Sequence, residues 1–214
     1  MSAKVKICGL MRVEDVTTSV RAGASYLGVV FAEGPRTVTS TQARELTAAA
    51  AGVPVLGVFG RQKLKDILQI CTQAELSGAQ LHGSYSQEDA QRLRAEGLVV
   101  WRVVRIAAPV DLDLLPSAMS ASDAVLVEPR VPNALGGSGV SLDLAVAQEA
   151  RSRLAGHSMV LAGGLTQDTV TEALQRVRPD IVDVSSGVEQ RPGRKDPDKI
   201  LNFVEAVFAH SPIT

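Results

Sequence analysis

The 214-residue chain has only two cysteines, Cys8 and Cys71, too few for a disulfide framework. Aromatic residues make up 3% of it, and no apolar run approaches the ~18 residues of a membrane-spanning helix. Neither sign of charge dominates: 22 lysines and arginines face 23 aspartates and glutamates, so no global field points to nucleic acid or to a membrane surface. The opening residues, MSAKVKICG, lack the charged, apolar and small-residue regions of a signal peptide. A cytoplasmic protein without nucleic-acid or membrane partners is the expectation. Linkers, low-complexity segments and breaks in composition are also missing, so one domain spanning 1–214 is expected.

What is present is a rhythm. Short apolar, β-branched runs recur at 4–8, 26–31, 53–59, 78–82, 98–104, 123–128, 158–163 and 180–185. Several are continuously apolar, as strands covered on both faces are. Amphipathic helical patterns separate them. Near the C-terminus Ile200, Phe203, Val204, Val207 and Phe208 form one stripe, announced by Asp196 as cap and Pro197 in the first turn. Val170, Ala173, Leu174 and Val177 repeat the spacing. The weakest helix falls within 109–121, where Pro116 interrupts the pattern. Parallel strands need crossovers, and helices supply them. Eight such units predict an α/β fold, a single-domain (β/α)8 TIM barrel. An open doubly wound sheet is the alternative, but no Gly-x-Gly-x-x-Gly follows the first strand.

Barrels of this kind build their sites from the C-terminal ends of strands and the loops after them. Reading those ends gives Cys8 and Gly9 after the first strand, and Arg36 beside a Gly-Pro turn after the second. The fourth contributes Gln80 and His82, the sixth Glu128, the seventh Gly163 and Gly164, and the eighth Asp183, Ser186 and Gly187. A lone cysteine is more often packing than chemistry, and Cys71, on a stripe with Leu64, Ile67 and Leu68, reads that way. Convergence of the other residues on one face is what favours a site. The glycine loops at 163–164 and 186–187 offer backbone N–H groups to a phosphate. The glycines at 135–139 either add a donor or supply flexibility.

The runs KICGL, GVVF, GPR, GVF, QLHG, GGSG, LAGGL and VDVSSGVE followed by PGRKD, in that order from residue 4 to residue 196, resemble the phosphoribosylanthranilate isomerase family. That resemblance implies an Amadori rearrangement of N-(5'-phosphoribosyl)anthranilate in tryptophan biosynthesis. No cofactor and no metal are expected, the partner is a small phosphosugar substrate, and the protein is a monomer or homodimer. It assigns the general base to Cys8 and puts an aspartate at the end of the sixth strand as general acid. This chain has Glu128 there, whose extra methylene moves the carboxyl by about an ångström, a displacement on the scale that costs about 10²-fold in rate. Arg36 fits a substrate carboxylate, since a planar guanidinium makes two-pronged contacts. Gln80 and His82 line the pocket. Asp183 has two readings: contact with substrate or orientation of Arg36, or an interior ion pair with Lys6, which is otherwise a poor base candidate. Trp101 belongs in or beside the barrel, and His157 and His210 have no assigned role. A related phosphosugar enzyme with a shifted substrate and a barrel that binds without turnover are the competing readings.

Overall fold

The computed structural model describes residues 3–130 and 141–210. Eight parallel strands, β1 (Lys4–Ile7), β2 (Tyr26–Val30), β3 (Val55–Phe59), β4 (Gly78–Leu81), β5 (Val99–Ile106), β6 (Ala124–Pro129), β7 (Met159–Leu161) and β8 (Ile181–Val184), close into a barrel in chain order, β8 returning to β1. The helices α1 (Val13–Ala22), α2 (Ser40–Ala48), α3 (Leu64–Gln73), α4 (Gln87–Ala95), α5 (Leu115–Met119), α6 (Leu144–Arg153), α7 (Val170–Val177) and α8 (Pro197–Ala209) follow the strands in turn. The expected alternation is therefore the observed one, with strand ends displaced by one or two residues.

Three local differences have physical causes. The weak fifth helix becomes a 3-10 segment, Pro109–Leu114, running into the five-residue α5. Pro116 sits in the first turn of α5, where its missing N–H costs no intrahelical bond, rather than inside a longer helix. Phe208 is 41% exposed and so leaves the buried stripe of α8. Its ring edge lies over Gly23, where an added Cβ would come within 3.1 Å. Finally, a small antiparallel hairpin, β9 (Glu189–Arg191) with β10 (Arg194–Lys195), follows a single 3-10 turn after β8. The sequence reading carried no strand there.

Alternation along each strand divides the core. Outward residues such as Val5, Ile7, Val100 and Val182 pack against the helices, while Leu56, Trp101, Ala124, Leu126, Val160, Ala162 and Ile181 fill the barrel itself. Trp101 is inside, edge-on to Tyr26 with ring centroids 5.0 Å apart. The inward positions above this apolar plug are polar: Lys6 and Cys8 on or after β1, Gln80 on β4, Glu128 on β6 and Asp183 on β8. The plug is the floor of whatever happens at the strand ends.

Trp101→Ala should therefore cost about 3–5 kcal/mol, the range for deleting a large buried aromatic. Urea denaturation of the variant against the wild type measures it, and a loss under about 1 kcal/mol would mean the interior is not packed around this ring.

Candidate active site

Cys8 follows β1, its backbone N–H donating to the Val184 carbonyl at 2.8 Å, and its side chain is 7% exposed. Two glycines make room around it. A Cβ on Gly28 would come within 2.8 Å of the Cys8 Sγ, so β2 has no side chain where the thiol lies. Gly9 has φ +74°, a left-handed conformation that leads the chain off the rim, and a Cβ there would fall 2.6 Å from the Cδ of Arg36. The Cys-Gly pair thus fits a thiol against one glycine and an arginine stem across the other.

Below the thiol, Lys6 Nζ donates to Asp183 Oδ1 at 2.7 Å, between paired positions of β1 and β8. Lys6 has no solvent exposure and its ammonium stands 5.6 Å from the Trp101 ring centre, a cation–π approach. The interior ion pair between Asp183 and Lys6 is formed. Burial opposes the Lys6 charge, but Asp183 and the neighbouring Cys8 outweigh it and hold its pKa above the ordinary lysine value. Burial pushes the Cys8 thiol above its ordinary value; Lys6 and, from further off, Lys195 pull the other way. Thiolate formation is therefore disfavoured here, because desolvation and the Asp183 charge exceed the help of two buried ammonium groups.

Asp183 does not orient Arg36. Glu189 does, through a two-pronged contact: Arg36 Nε to Oε1 at 2.8 Å and Nη2 to Oε2 at 2.7 Å. Lys195, buried to 1% exposure, donates to Glu189 Oε1 at 2.9 Å and to the Ser185 carbonyl at 2.9 Å. Its backbone N–H reaches the buried Asp15 of α1 at 3.2 Å. Burial works against the Glu189 carboxylate, yet Arg36 and Lys195 together hold its pKa below the usual range. Burial depresses Lys195, against the pull of Glu189. Neither Glu189 nor Lys195 was singled out from sequence, although both lie in the VDVSSGVE and PGRKD runs. A glutamate and a lysine six residues apart around Pro-Gly look like any surface hairpin until the fold closes over them.

Across the barrel mouth, Glu128 is 6% exposed. His82 Nε2 stands 2.7 Å from its Oε1, and Arg105 Nε lies 3.4 Å from the same oxygen. The ring N–H is not aligned on that oxygen, so the short approach is not a formed hydrogen bond. Arg105, on β5, is a further site residue that the sequence reading passed over. Gln80 is 3% exposed, and its side-chain carbonyl has no hydrogen-bond partner among the described residues. A buried amide oxygen of this kind is costly unless something arrives to donate to it.

The glycine loops lie where expected. Gly163 and Gly164 follow β7 with φ +98° and +64°, and Ser186 and Gly187 form the 3-10 turn after β8. A Cβ on Gly187 would overlap the Leu165 carbonyl oxygen, so the two loops are packed together. Among the described residues, no backbone hydrogen bond engages the N–H groups of Gly163, Gly164 or Gly187. That leaves three donors for an anion. No helix N-terminus joins the loop after β7 directly, since α7 opens only at Val170. The glycines at 135–139 lie outside the described residues.

The buried charges dictate stability. In Asp183→Asn, Lys6 keeps its charge in the interior without an ionised partner, and a loss of about 3–5 kcal/mol in chemical denaturation is expected. Because the Glu189 pKa is lowered from 4.5, its contribution is complete above about pH 4.5 and fades as pH falls through the lower folded value. Glu189→Gln should accordingly lose less stability than wild type between about pH 4.5 and pH 2. An acid limb unchanged by that substitution would contradict the pairing.

Comparison with known proteins agrees with this geometry. Residues 5–206 match the family model for N-(5'phosphoribosyl)anthranilate (PRA) isomerase. The N-(5'-phosphoribosyl)anthranilate isomerase of Trichlorobacter lovleyi is 39% identical over 203 residues, covering 94% of this chain and 96% of that protein. A crystal structure of monomers of the dimeric phosphoribosylanthranilate isomerase from Thermotoga maritima superposes with a TM-score of 0.85 at 32% identity, over 97% of this chain and 99% of its own. Another phosphoribosylanthranilate isomerase, in complex with reduced 1-(o-carboxyphenylamino)-1-deoxyribulose 5-phosphate, superposes with a TM-score of 0.81 at 30% identity over 97% of this chain and 99% of its own. A family model matched over residues 5–206 and relatives of this similarity along nearly the whole barrel show that the chain belongs to the N-(5'-phosphoribosyl)anthranilate isomerase family.

Proposed function

We propose that this chain converts N-(5'-phosphoribosyl)anthranilate to 1-(o-carboxyphenylamino)-1-deoxyribulose 5-phosphate in tryptophan biosynthesis, with Cys8 as general base and Glu128 as general acid. The observation that carries the assignment is their placement: a buried thiol after β1 and a buried carboxyl on β6, at one end of one barrel. The ligand named in the complexed relative is the reduced form of that product, which supports a phosphosugar in this pocket.

The chemistry divides between the two groups. The Glu128 carboxyl donates a proton to the ribose ring oxygen; the C1–O bond breaks and the nitrogen lone pair forms the C=N bond of a Schiff base. Cys8, as thiolate, takes the C2 proton, and the C2–H electrons form the C1=C2 bond of an enolamine while the C=N pair returns to nitrogen. Tautomerisation gives the ketone, so protons and electrons balance without an external oxidant. Each positioned acid or base supplies about 10²–10⁴-fold. Lys6 and Lys195 favour the thiolate, and His82 and Arg105 face the acid. The sugar phosphate takes the backbone donors of Gly163, Gly164 and Gly187 with the Ser186 turn, and the anthranilate carboxylate takes Arg36. Gln80 accepts from a ribose hydroxyl, and Asp183, engaged with Lys6 through Oδ1, presents its other oxygen to another.

Generating the substrate in situ and following loss of its fluorescence tests the reading. Turnover is expected; absent turnover with tight binding of a product analogue would mean a binding protein instead. Cys8→Ser should lose about 10²–10⁴-fold in kcat/KM. Glu128→Gln should be inactive, while Glu128→Asp should hold or raise the rate. Because burial raises the Cys8 pKa, alkylation of Cys8 by iodoacetamide in a Cys71→Ala background should still be accelerating above pH 9, the ordinary value for this thiol. An alkylation rate already level at neutral pH would contradict a thiol shifted upward by burial.

A further inference from the structure

The Arg36–Glu189–Lys195 cluster is more elaborate than the proposed role of Arg36 alone requires. Arg36 has three nitrogens, and Glu189 occupies two of them along one edge of the guanidinium, Nε and Nη2. The remaining fork is the outer end, Nη1 with the second hydrogen of Nη2. Glu189 is itself held from behind by Lys195, and its Oε1 also receives the Gly193 N–H at 3.3 Å. Lys199 Nζ fastens the Glu189 carbonyl at 2.9 Å. On the other side the Arg36 stem lies over Gly9, next to Cys8. The side chains of Arg36 and Glu189 are 12% and 4% exposed, so the pair is largely removed from water. A guanidinium held along one edge, with its stem against the rim glycine, has one direction left to point.

We infer that Glu189, braced by Lys195, is a positioning residue that fixes Arg36 so that its outer fork receives the ortho-carboxylate of the substrate. The β9–β10 hairpin is the device that carries this brace, its turn at Gly193 lying against Met11 and the Pro35 carbonyl. Substrate discrimination between an N-phosphoribosylated anthranilate and the corresponding aniline then depends on Arg36 together with two residues, Glu189 and Lys195, that never touch the substrate. The inference rests on Arg36 meeting that carboxylate, as proposed above.

The test compares two substrates, phosphoribosylanthranilate and phosphoribosylaniline, the second lacking only the carboxylate. In Glu189→Gln the amide offers an N–H2 to one of the two guanidinium donors, so the two-pronged contact is lost. For the anthranilate substrate kcat/KM should fall about 10- to 100-fold, the scale for a binding group displaced by about an ångström, and mostly through KM. For the aniline substrate it should change less than about twofold. A simple loss of structural integrity would lower both alike, and that result, or no loss on either, overturns the inference. Should Glu189→Gln fail to fold because Lys195 is left unpaired, Glu189→Gln with Lys195→Met removes the buried charge, and the ratio between the two substrates remains the readout. Arg36→Ala separates the two layers. If it leaves the preference for the carboxylated substrate intact, Arg36 is not the carboxylate's partner; if it abolishes the preference while Glu189→Gln does not, only the role of Glu189 fails.

Discussion

The ion pair between Lys6 and Asp183 is the constraint from which the rest of the site follows. An ammonium group without solvent exposure is tolerable inside a barrel only with a paired carboxylate, and the parallel register of β1 and β8 supplies one directly opposite. Once that pair is in place, the layer above the Trp101 plug is electrostatically committed. Cys8 comes two residues after Lys6, on the same face, and so lies within the field of the ammonium. Gly28 follows because no side chain fits between the thiol and the second strand.

A second charged cluster frames the opposite edge of the thiol. Glu189 draws Arg36 and Lys195 together, with the Arg36 stem against Gly9 and the Lys195 ammonium on Ser185. The strand-end face of the barrel is thus a layer of compensated charges rather than an open polar cup, and each charge is placed by a neighbour on another strand or loop. Such a layer gives little net stability compared with apolar packing, since desolvation offsets most of the attraction. What it supplies is a fixed orientation for a thiol and a guanidinium, which is what acid–base chemistry on a bound sugar needs.

Much of this was legible in the chain. Continuous apolar runs such as VPVLGVF identify strands covered on both faces, and all eight form. Strand-end positions could be read once the barrel was assumed, because alternation fixes which residues face inward; Cys8, Gln80 and Glu128 are where that rule puts them. Local sequence did not show which partner each charge would choose. Arg36 and Glu189 are 153 residues apart, and Lys6 and Asp183 are 177 apart. The Lys6 pair was predictable because both residues sit in regular strands with inferable register. The Arg36 pair was not, because Glu189 belongs to a hairpin whose course no periodicity encodes. Arg105 was missed for a related reason, since β5 runs two residues past the point where its apolar pattern ends. The balance between burial and nearby lysines at Cys8 was likewise beyond reach, being a sum over tertiary neighbours.

In the proposed mechanism, the state of the Cys8 thiol is the point on which catalysis turns. Its ultraviolet thiolate absorbance, titrated in a Cys71→Ala background with Lys6 intact and with Lys6→Met, measures that state directly. The titration midpoint should lie above the ordinary thiol value and move further up when the ammonium is removed. A midpoint below the ordinary value, or one indifferent to Lys6, would contradict a buried thiol governed by its ion-paired neighbour.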